Sequence, residues 1–130
     1  TQGYSSAASD VYKRQIYKCI TEDIITEEVI ITDNQIQHIK DRHPEAYNKV
    51  LKNIQEAIIT PDYIIRDKHA YTGLIIKRIQ TEEGFLQIVL RLCTSGDEHG
   101  YKNSVISCWK ISERRLQNYL RNKEILYSRE

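Results

Sequence analysis

The sequence predicts a single α+β domain, with two N-terminal helices packed on a four-stranded antiparallel sheet and a further helix near the C-terminus. Residues 32–58 show the apolar period of two amphipathic helices, and strand-like segments rich in β-branched residues follow them. Helices followed by antiparallel strands indicate an α+β fold with the helices on one sheet face. We therefore expect the opposite face to form an open, polar concavity. A chain of 130 residues accommodates one such domain, predicted over residues 16–130.

Residues 1–15 do not share this pattern. They are rich in Ser, Ala and Gly, have no apolar period, and contain neither an initiator Met nor the apolar core of a signal peptide. The string from Ser5 to Gln15 resembles a translated sequencing-adapter sequence. We predict that this segment is non-native or disordered, and that the chain is the C-terminal part of a larger protein.

Two short strands, Ile16–Ile20 and Glu28–Ile31, are predicted ahead of the first helix. Thr32 or Asp33 offers an N-cap for that helix, which we expect to end at His43.

The first helix has two distinct faces. Ile36, Ile39 and His43 share one face, whereas His38 and Arg42 share another at i, i+4 spacing. Pro44 suits the first position of a second helix, because its missing N–H costs nothing there. That helix has a continuous apolar stripe, formed by Tyr47, Val50, Leu51, Ile54, Ala57 and Ile58.

The second half of the chain predicts four strands and a capped helix. The strands are expected at Tyr63–Arg66, Gly73–Ile79, Phe85–Cys93 and Ser104–Ile111. Alternation in the third strand places Leu86, Ile88, Leu90 and Leu92 on the core face and Arg91 on the opposite face. Ser112 then caps a helix whose apolar face is formed by Leu116, Tyr119 and Leu120.

Composition excludes several classes of protein. When Lys13, Arg14 and Asp10 of the N-terminal segment are left out, the chain has 17 basic and 17 acidic side chains. This balance of charge argues against a nonspecific polyanion binder. Any nucleic-acid contact must therefore come from a local patch. Three cysteines without CxxC spacing predict reduced thiols rather than a disulfide framework. No apolar run approaches the ~20 residues of a membrane span.

The histidines are the leading chemical candidates. His38 and His43 lie five residues apart beside Arg42. An imidazole can act as general base or acid near neutral pH, and a guanidinium can bind a phosphate. The alternative is that His43, on the Ile36 and Ile39 face, is a partly buried residue interacting with the helix C-terminal dipole. Spacing of i, i+5 does not place both imidazoles on one face, so we expect neither a metal nor another cofactor.

Basic residues on the predicted strands are the next candidates. Lys77 and Arg91 lie on adjacent strands and can point into one concavity, and Arg78 is a substrate-binding alternative to Lys77. Most basic residues on strands simply face solvent. Convergence of these residues with a histidine in one cleft would favour catalysis. If Lys77 and Arg91 point to opposite sides, a noncatalytic binding module is favoured instead.

Three further residues complete the candidate set. Ser107 is a hydroxyl in an otherwise apolar strand and can donate to a phosphate or to the neighbouring backbone. Tyr101 and Trp109 can stack on bases, although as core or rim aromatics they need no function.

The order of these motifs resembles a known family. It comprises Ile31–Pro44 with its two histidines, Ile58–Ile64, Ile75–Lys77, Val89–Arg91 and Asn103–Ser107. Together they look like the phage-associated nuclease domains of the barnase–EndoU–colicin–RelE type, which occur in phage polyvalent proteins and at the ends of polymorphic toxins. The resemblance covers roughly residues 28–127.

The resemblance implies a metal-independent endoribonuclease, a toxin or phage effector that cleaves tRNA or another RNA to a 2′,3′-cyclic phosphate. It places catalytic residues at His38, His43, Lys77, Arg91 and Ser107. No glutamate on a central strand is available as base, so a histidine base is expected. We also expect RNA and an immunity or antitoxin protein as partners, the latter being the natural protein ligand of a noncatalytic module, and action in the cytoplasm of a host or target cell after delivery by phage or secretion. The alternative is a noncatalytic nucleic-acid- or protein-binding module on the same scaffold.

Overall fold

The computed structural model describes residues 16–42, 44–45, 47–79 and 84–129. Residues 1–15, predicted to be non-native or disordered, lie outside the described part. The elements follow in the order β1 (Val29–Ile31), α1 (Asp33–Arg42), α2 (Tyr47–Ile59), β2 (Tyr63–Arg66), β3 (Thr72–Arg78), β4 (Phe85–Arg91), β5 (Asn103–Ile111), α3 (Glu113–Asn122) and β6 (Ile125–Ser128). The predicted α+β class is confirmed. No helix in these ranges is long and apolar enough to cross a membrane.

The sheet is larger than predicted and is mixed. Its strand order is β1-β5-β4-β3-β2-β6, with β1 parallel to β5 and every other pair antiparallel. The expectation of four antiparallel strands is therefore wrong. The four predicted strands form the centre, and a short strand from each end of the domain extends the sheet at its two edges.

Helices pack on both faces of the sheet. On one face, α1 and α2 bury Ile39, Ile54 and Ile58 against strand residues such as Ile75 and Ile88. We call this the helix-covered face. On the other face, Leu116 of α3 packs in a second core with Ile65, Leu74, Ile76, Phe85 and Ile111. The predicted open concavity is thus partly filled, because the apolar stripe of α3 needs a sheet face to bury.

Residues 16–20 form a helical turn rather than the predicted strand. The N–H of Ile20 donates to the carbonyl of Tyr17 at 3.0 Å. Both side chains are buried in the core on the helix-covered face. Residues three apart share a face in a helical turn, whereas they alternate in a strand, so burying both favours the turn.

The starts of α1 and α3 were predicted correctly, but the start of α2 was not. The hydroxyls of Thr32 and Ser112 accept hydrogen bonds from the backbone N–H groups three residues later, so both predicted N-caps are confirmed. The expected start of the second helix at Pro44 is wrong, because Pro44 lies in a turn and α2 begins at Tyr47. His43, the predicted end of the first helix, lies outside the described residues.

Candidate functional site

A cleft of about 610 Å³ opens on the helix-covered face between α1, α2 and the adjoining ends of β3, β4 and β5. We call it the helix cleft. Its polar lining comprises Gln35, His38, Arg42, Lys49, Asn53 and Lys110. Its remaining lining residues are Ile39, Val50, Ile79, Leu86, Cys108 and Trp109. This volume, with apolar walls and a few converging polar groups, is typical of a small-ligand site.

The two faces of α1 explain how His38 and Arg42 reach the cleft. Ile39 is buried in the core, so the helix is fixed with its i, i+4 pair exposed. The ammonium of Lys40 lies 5.0 Å from the ring centre of Tyr47, a cation–π contact between α1 and α2. The predicted division of the α1 faces is confirmed for Ile39, His38 and Arg42.

Strand β5 supplies Lys110 because of a β-bulge. Val105 pairs with Leu90, but Ser107 pairs with Val89 and Cys108 with Ile88, so one extra residue lies between the two registers. A bulge of one residue reverses the facing of the side chains that follow it. Val105 and Cys108, three positions apart, therefore both pack in the core of the helix-covered face. Lys110, two residues beyond Cys108, lies on that same face.

The helix cleft concentrates positive charge. Arg42, Lys49 and Lys110 line it, and none of its lining residues in the described part of the chain is Asp or Glu. The whole chain carries a formal net charge of only +1. A concave surface lined by one sign of charge attracts an anionic ligand more strongly than the net charge implies.

The thiol of Cys108 on the cleft wall has low reactivity. Burial raises the pKa of Cys108 to about 12, so the group is protonated near neutral pH. A thiol in that state is a poor nucleophile and a poor metal ligand.

Lys77 and Arg91 do not converge in the cleft. Lys77 pairs with Leu86 on the helix-covered face, and its ammonium donates to the carbonyl of Thr60 at 2.8 Å. Arg91 faces the opposite side of the sheet, where its guanidinium donates two hydrogen bonds to Asp97 at 2.9 and 3.3 Å. That pairing raises the pKa of Arg91 and holds the pKa of Asp97 at about 2. The expectation that both basic residues could point into one concavity is wrong.

The other predicted residues divide between the cleft and more distant positions. Trp109 lines the cleft and is 40% exposed. Ser107 pairs with Val89 on the opposite sheet face and does not line the cleft. Tyr101 is exposed, lies ahead of the first residue of β5 and does not line the cleft. Arg78 lies over the ring of Phe85, outside the cleft.

Sequence reasoning missed Lys49, Asn53 and Lys110. Lys49 and Asn53 are i, i+4 neighbours beside the apolar stripe of α2, so the helical period contains a signal for them. Strand alternation carries no such signal for Lys110, because the bulge decides its facing. The second predicted imidazole, His43, lies outside the described residues.

No group of three or more His, Cys, Asp and Glu in the described ranges is placed to hold a metal ion.

Comparison with known proteins agrees with the resemblance of the motifs. A family model described as phage-Barnase-EndoU-ColicinE5/D-RelE like nuclease 2 matches residues 9–128. The chain belongs to this nuclease family. The match begins inside the segment predicted to be non-native and runs almost to the C-terminus, so it includes every element of this nuclease fold. No curated protein and no solved structure matches the chain.

Proposed function

We propose that this protein is an endoribonuclease that cleaves RNA in the helix cleft by metal-independent general acid–base catalysis, leaving a 2′,3′-cyclic phosphate. The observation that carries the proposal is the convergence of His38 with three cationic side chains, Arg42, Lys49 and Lys110, in one concave site. Membership of a nuclease family supports the reaction class. The choice of RNA follows from chemistry, because an imidazole base needs a nearby nucleophile and RNA carries its own 2′-hydroxyl.

His38 is the proposed general base. Its imidazole takes the proton of the 2′-hydroxyl, and the 2′-oxygen then attacks the adjacent phosphorus. The bond from phosphorus to the 5′-oxygen breaks, and that leaving oxygen receives a proton. The products are a 2′,3′-cyclic phosphate and a free 5′-hydroxyl, so atoms and charge balance without any further reactant.

Arg42, Lys49 and Lys110 are proposed to stabilise the negative charge that builds on the non-bridging oxygens. They come from α1, α2 and β5, so they approach a bound phosphate from three elements of the fold. Cationic donors fixed by a scaffold stabilise developing charge more than solvent does. The apolar wall formed by Ile39, Val50 and Leu86 offers a surface for a sugar or base.

The general acid is assigned by proposal to His43, the second imidazole of the segment. Lys77, Arg91 and Ser107 are left out of the proposed centre, because their contacts place them outside the cleft. We propose tRNA or another structured RNA as target, an immunity or antitoxin protein as partner, and action in the cytoplasm of a host or target cell after delivery by phage or secretion.

The decisive experiment compares single-turnover cleavage of total RNA, with EDTA present, by wild type and His38→Ala. We expect His38→Ala to reduce the rate by about 10²–10⁴-fold, the usual contribution of one acid–base group. His99→Ala is the matched control, since His99 is exposed in the loop before β5 and should leave the rate unchanged. His43→Ala tests the proposed acid in the same assay.

A substrate with one 2′-deoxy nucleotide at the cleavage position should resist cleavage there. Mass spectrometry should find a cyclic phosphate on the upstream product. Cleavage that continues at the 2′-deoxy position, or a His38→Ala rate equal to that of wild type, would refute the histidine mechanism.

The cationic residues allow an independent test. Arg42→Ala and Lys110→Ala should each lower the rate by about 10²–10³-fold, as removing one oxyanion-stabilising donor does in other sites. Arg42→Lys should recover only part of the activity, because an ammonium lacks the planar fork of a guanidinium.

A noncatalytic nucleic-acid-binding module on this scaffold is the second candidate. It is favoured by one observation, the placement of Lys77 and Arg91 on opposite faces of the sheet. Stable binding of RNA, without cleavage of any RNA tested with or without divalent cations, would establish this alternative.

A further inference from the structure

The helix cleft does not end at Lys110. That residue also lines a second depression of about 620 Å³, whose other lining residues include Arg78, Ser112 and Glu113. We call it the sheet-end hollow, because it lies where β3 ends, β4 begins and β5 ends. The two depressions therefore share a cationic residue and adjoin each other at the end of the sheet.

The strand register relates the backbone positions of the two cationic residues. Arg78 and Ile111 both pair with Phe85, from the two sides of β4, so they are separated by two strand spacings, about 10 Å. Lys110 immediately precedes Ile111 but lies on the helix-covered face, whereas Arg78 lies on the other face. An RNA strand that contacts both Lys110 and Arg78 therefore has to pass from one face of the sheet to the other around the end of the sheet.

Gly84 allows the start of β4 to approach the end of β5 closely. It has a φ of +98°, and a Cβ at this position would lie 2.8 Å from the carbonyl oxygen of Ile111. Only glycine adopts that conformation readily and tolerates that approach. The end of β5 and the start of β4 are thereby held together, which leaves the hollow between Lys110 and Arg78 without an intervening side chain at Gly84.

The guanidinium of Arg78 is oriented but accessible. It lies 4.4 Å from the ring centre of Phe85, and its ion pair with Glu113 is 3.5 Å long. Both members of that pair have side chains more than half exposed. An exposed pair of this kind contributes little to stability, so an incoming phosphate can compete for the guanidinium.

A third depression next to Arg78 differs in character. It contains Lys77 and Arg129 together with Asp62 and Glu113. Asp62 accepts a hydrogen bond from Arg129, and Lys77 donates to Thr60. This depression has a second acid, Asp62, in addition to Glu113, so we take the cationic path to end at Arg78.

We propose that the sheet-end hollow is a second phosphate subsite, which binds the RNA backbone next to the scissile phosphate through Arg78 and Lys110. This proposal rests on the proposed ribonuclease function and extends its substrate site to a longer single-stranded segment. The RNA would then enter the helix cleft between α1 and α2 and leave across the end of the sheet toward α3.

The test measures binding, so it does not depend on turnover. The His38→Ala protein is titrated into fluorescent single-stranded RNA of three and of nine nucleotides, read by anisotropy at several salt concentrations. We expect the nonamer to bind at least about tenfold more tightly than the trimer, because it adds phosphate contacts. Adding Arg78→Ala should weaken nonamer binding about fivefold and lower the salt slope by about one.

Glu113→Gln separates a binding role of Arg78 from a structural one. Removing the carboxylate should tighten nonamer binding at least twofold, because Arg78 loses a competing anion. If the ion pair only maintains the fold, Glu113→Gln should instead weaken binding as Arg78→Ala does, and the proposal is overturned. Arg121→Ala, an exposed basic residue in the last turn of α3, is the matched control and should leave binding within twofold.

The outcomes also separate this proposal from the one it rests on. Equal affinity for both RNA lengths and no effect of Arg78→Ala would refute the second subsite, while the helix cleft would stand as the site. No binding of either RNA would refute RNA as the ligand, and the subsite with it.

Discussion

One buried hydroxyl connects the first described turn of the chain to the helix that carries Lys49. The phenol of Tyr17 donates a hydrogen bond of 2.6 Å to the carbonyl of Ile58, near the C-terminus of α2. Both residues are buried. The N–H that would bond this carbonyl if the helix continued belongs to Asp62, but it donates to Ile76 instead. The phenol therefore supplies the donor that the helix end lacks.

Tyr17→Phe removes this hydrogen bond and creates no cavity, because the ring is retained. A buried carbonyl left without a donor costs about 1–3 kcal/mol, so we expect the free energy of unfolding to fall by about that amount. Tyr17→Ala also removes the buried ring and should cost about 3–5 kcal/mol. These are large fractions of the roughly 5–15 kcal/mol that stabilises a typical domain.

The effect should depend on pH only in alkali. Burial raises the pKa of Tyr17 well above its ordinary value of 10.0, so the phenol remains a protonated donor in the folded protein. A group whose pKa is raised on folding contributes stability that is fully present below its unfolded pKa and is lost as the pH rises beyond it. The difference between wild type and Tyr17→Phe should therefore be constant from about pH 6 to 9 and decrease above about pH 10.

Urea denaturation followed by circular dichroism measures the change. We expect a lower midpoint with an unchanged m-value, since the amount of surface exposed on unfolding stays nearly the same. Tyr101→Phe is the control, because its side chain is 54% exposed and it should lie within about 0.3 kcal/mol of wild type. A Tyr17→Phe protein as stable as that control would show that the phenol is not the donor for the end of α2.

Three further predictions follow from buried or paired groups. The amide oxygen of buried Gln87 has no hydrogen-bond partner among the described residues, so Gln87→Met should raise the free energy of unfolding by about 1 kcal/mol in urea melts, and a decrease would contradict this. Arg91→Ala should raise the pKa of Asp97 from about 2, measured by NMR titration, and speed amide exchange in residues 94–102 while RNA cleavage persists. The stabilisation from this lowered pKa is present above about pH 4 and lost as the pH falls toward 2, so in wild type the protection of these amides relative to their intrinsic exchange rates should fall only in acid. Because the pKa of Cys108 is about 12, iodoacetamide should modify it at pH 8 far more slowly in the native protein than in urea, and equal rates would refute its burial.

Local patterns in the sequence predicted local structure well. The alternation Leu86, Ile88 and Leu90 identified one buried face of β4, and Ser112 was identified as the cap of α3. Both depend on residues within a few positions of one another, so the sequence contains all the information required. The helix pair His38 and Arg42 belongs to the same class, since i, i+4 neighbours share a face whatever the rest of the fold does.

Contacts between distant segments were not predictable in this way. The residues of Val29–Ile31 do not predict parallel pairing with β5, and the residues of Ile125–Ser128 do not predict pairing with β2. The turn at residues 16–20 resembled a strand because it is rich in apolar and β-branched residues. The turn buries Tyr17 and Ile20 in the core, where the phenol of Tyr17 donates to the carbonyl of Ile58, about forty residues away along the chain. Tertiary contacts of this kind override a weak local preference.

The same difference between local patterns and contacts of distant segments explains which residues of the candidate site were predicted. Counting alternate residues from Val105 places Ser107 and Trp109 on the helix-covered face and Lys110 on the other. The bulge in β5 reverses all three of these assignments, so the helix-covered face gains the cation of Lys110 and loses the hydroxyl of Ser107. A guanidinium and two ammonium groups around one imidazole stabilise the charge of a cleaved phosphodiester better than a serine hydroxyl would. Deleting Ile106 removes only the extra residue and leaves Lys110 paired with Leu86 on the helix-covered face, so a deletion protein that still folds should keep cleaving RNA; loss of cleavage in a folded deletion protein would contradict this register.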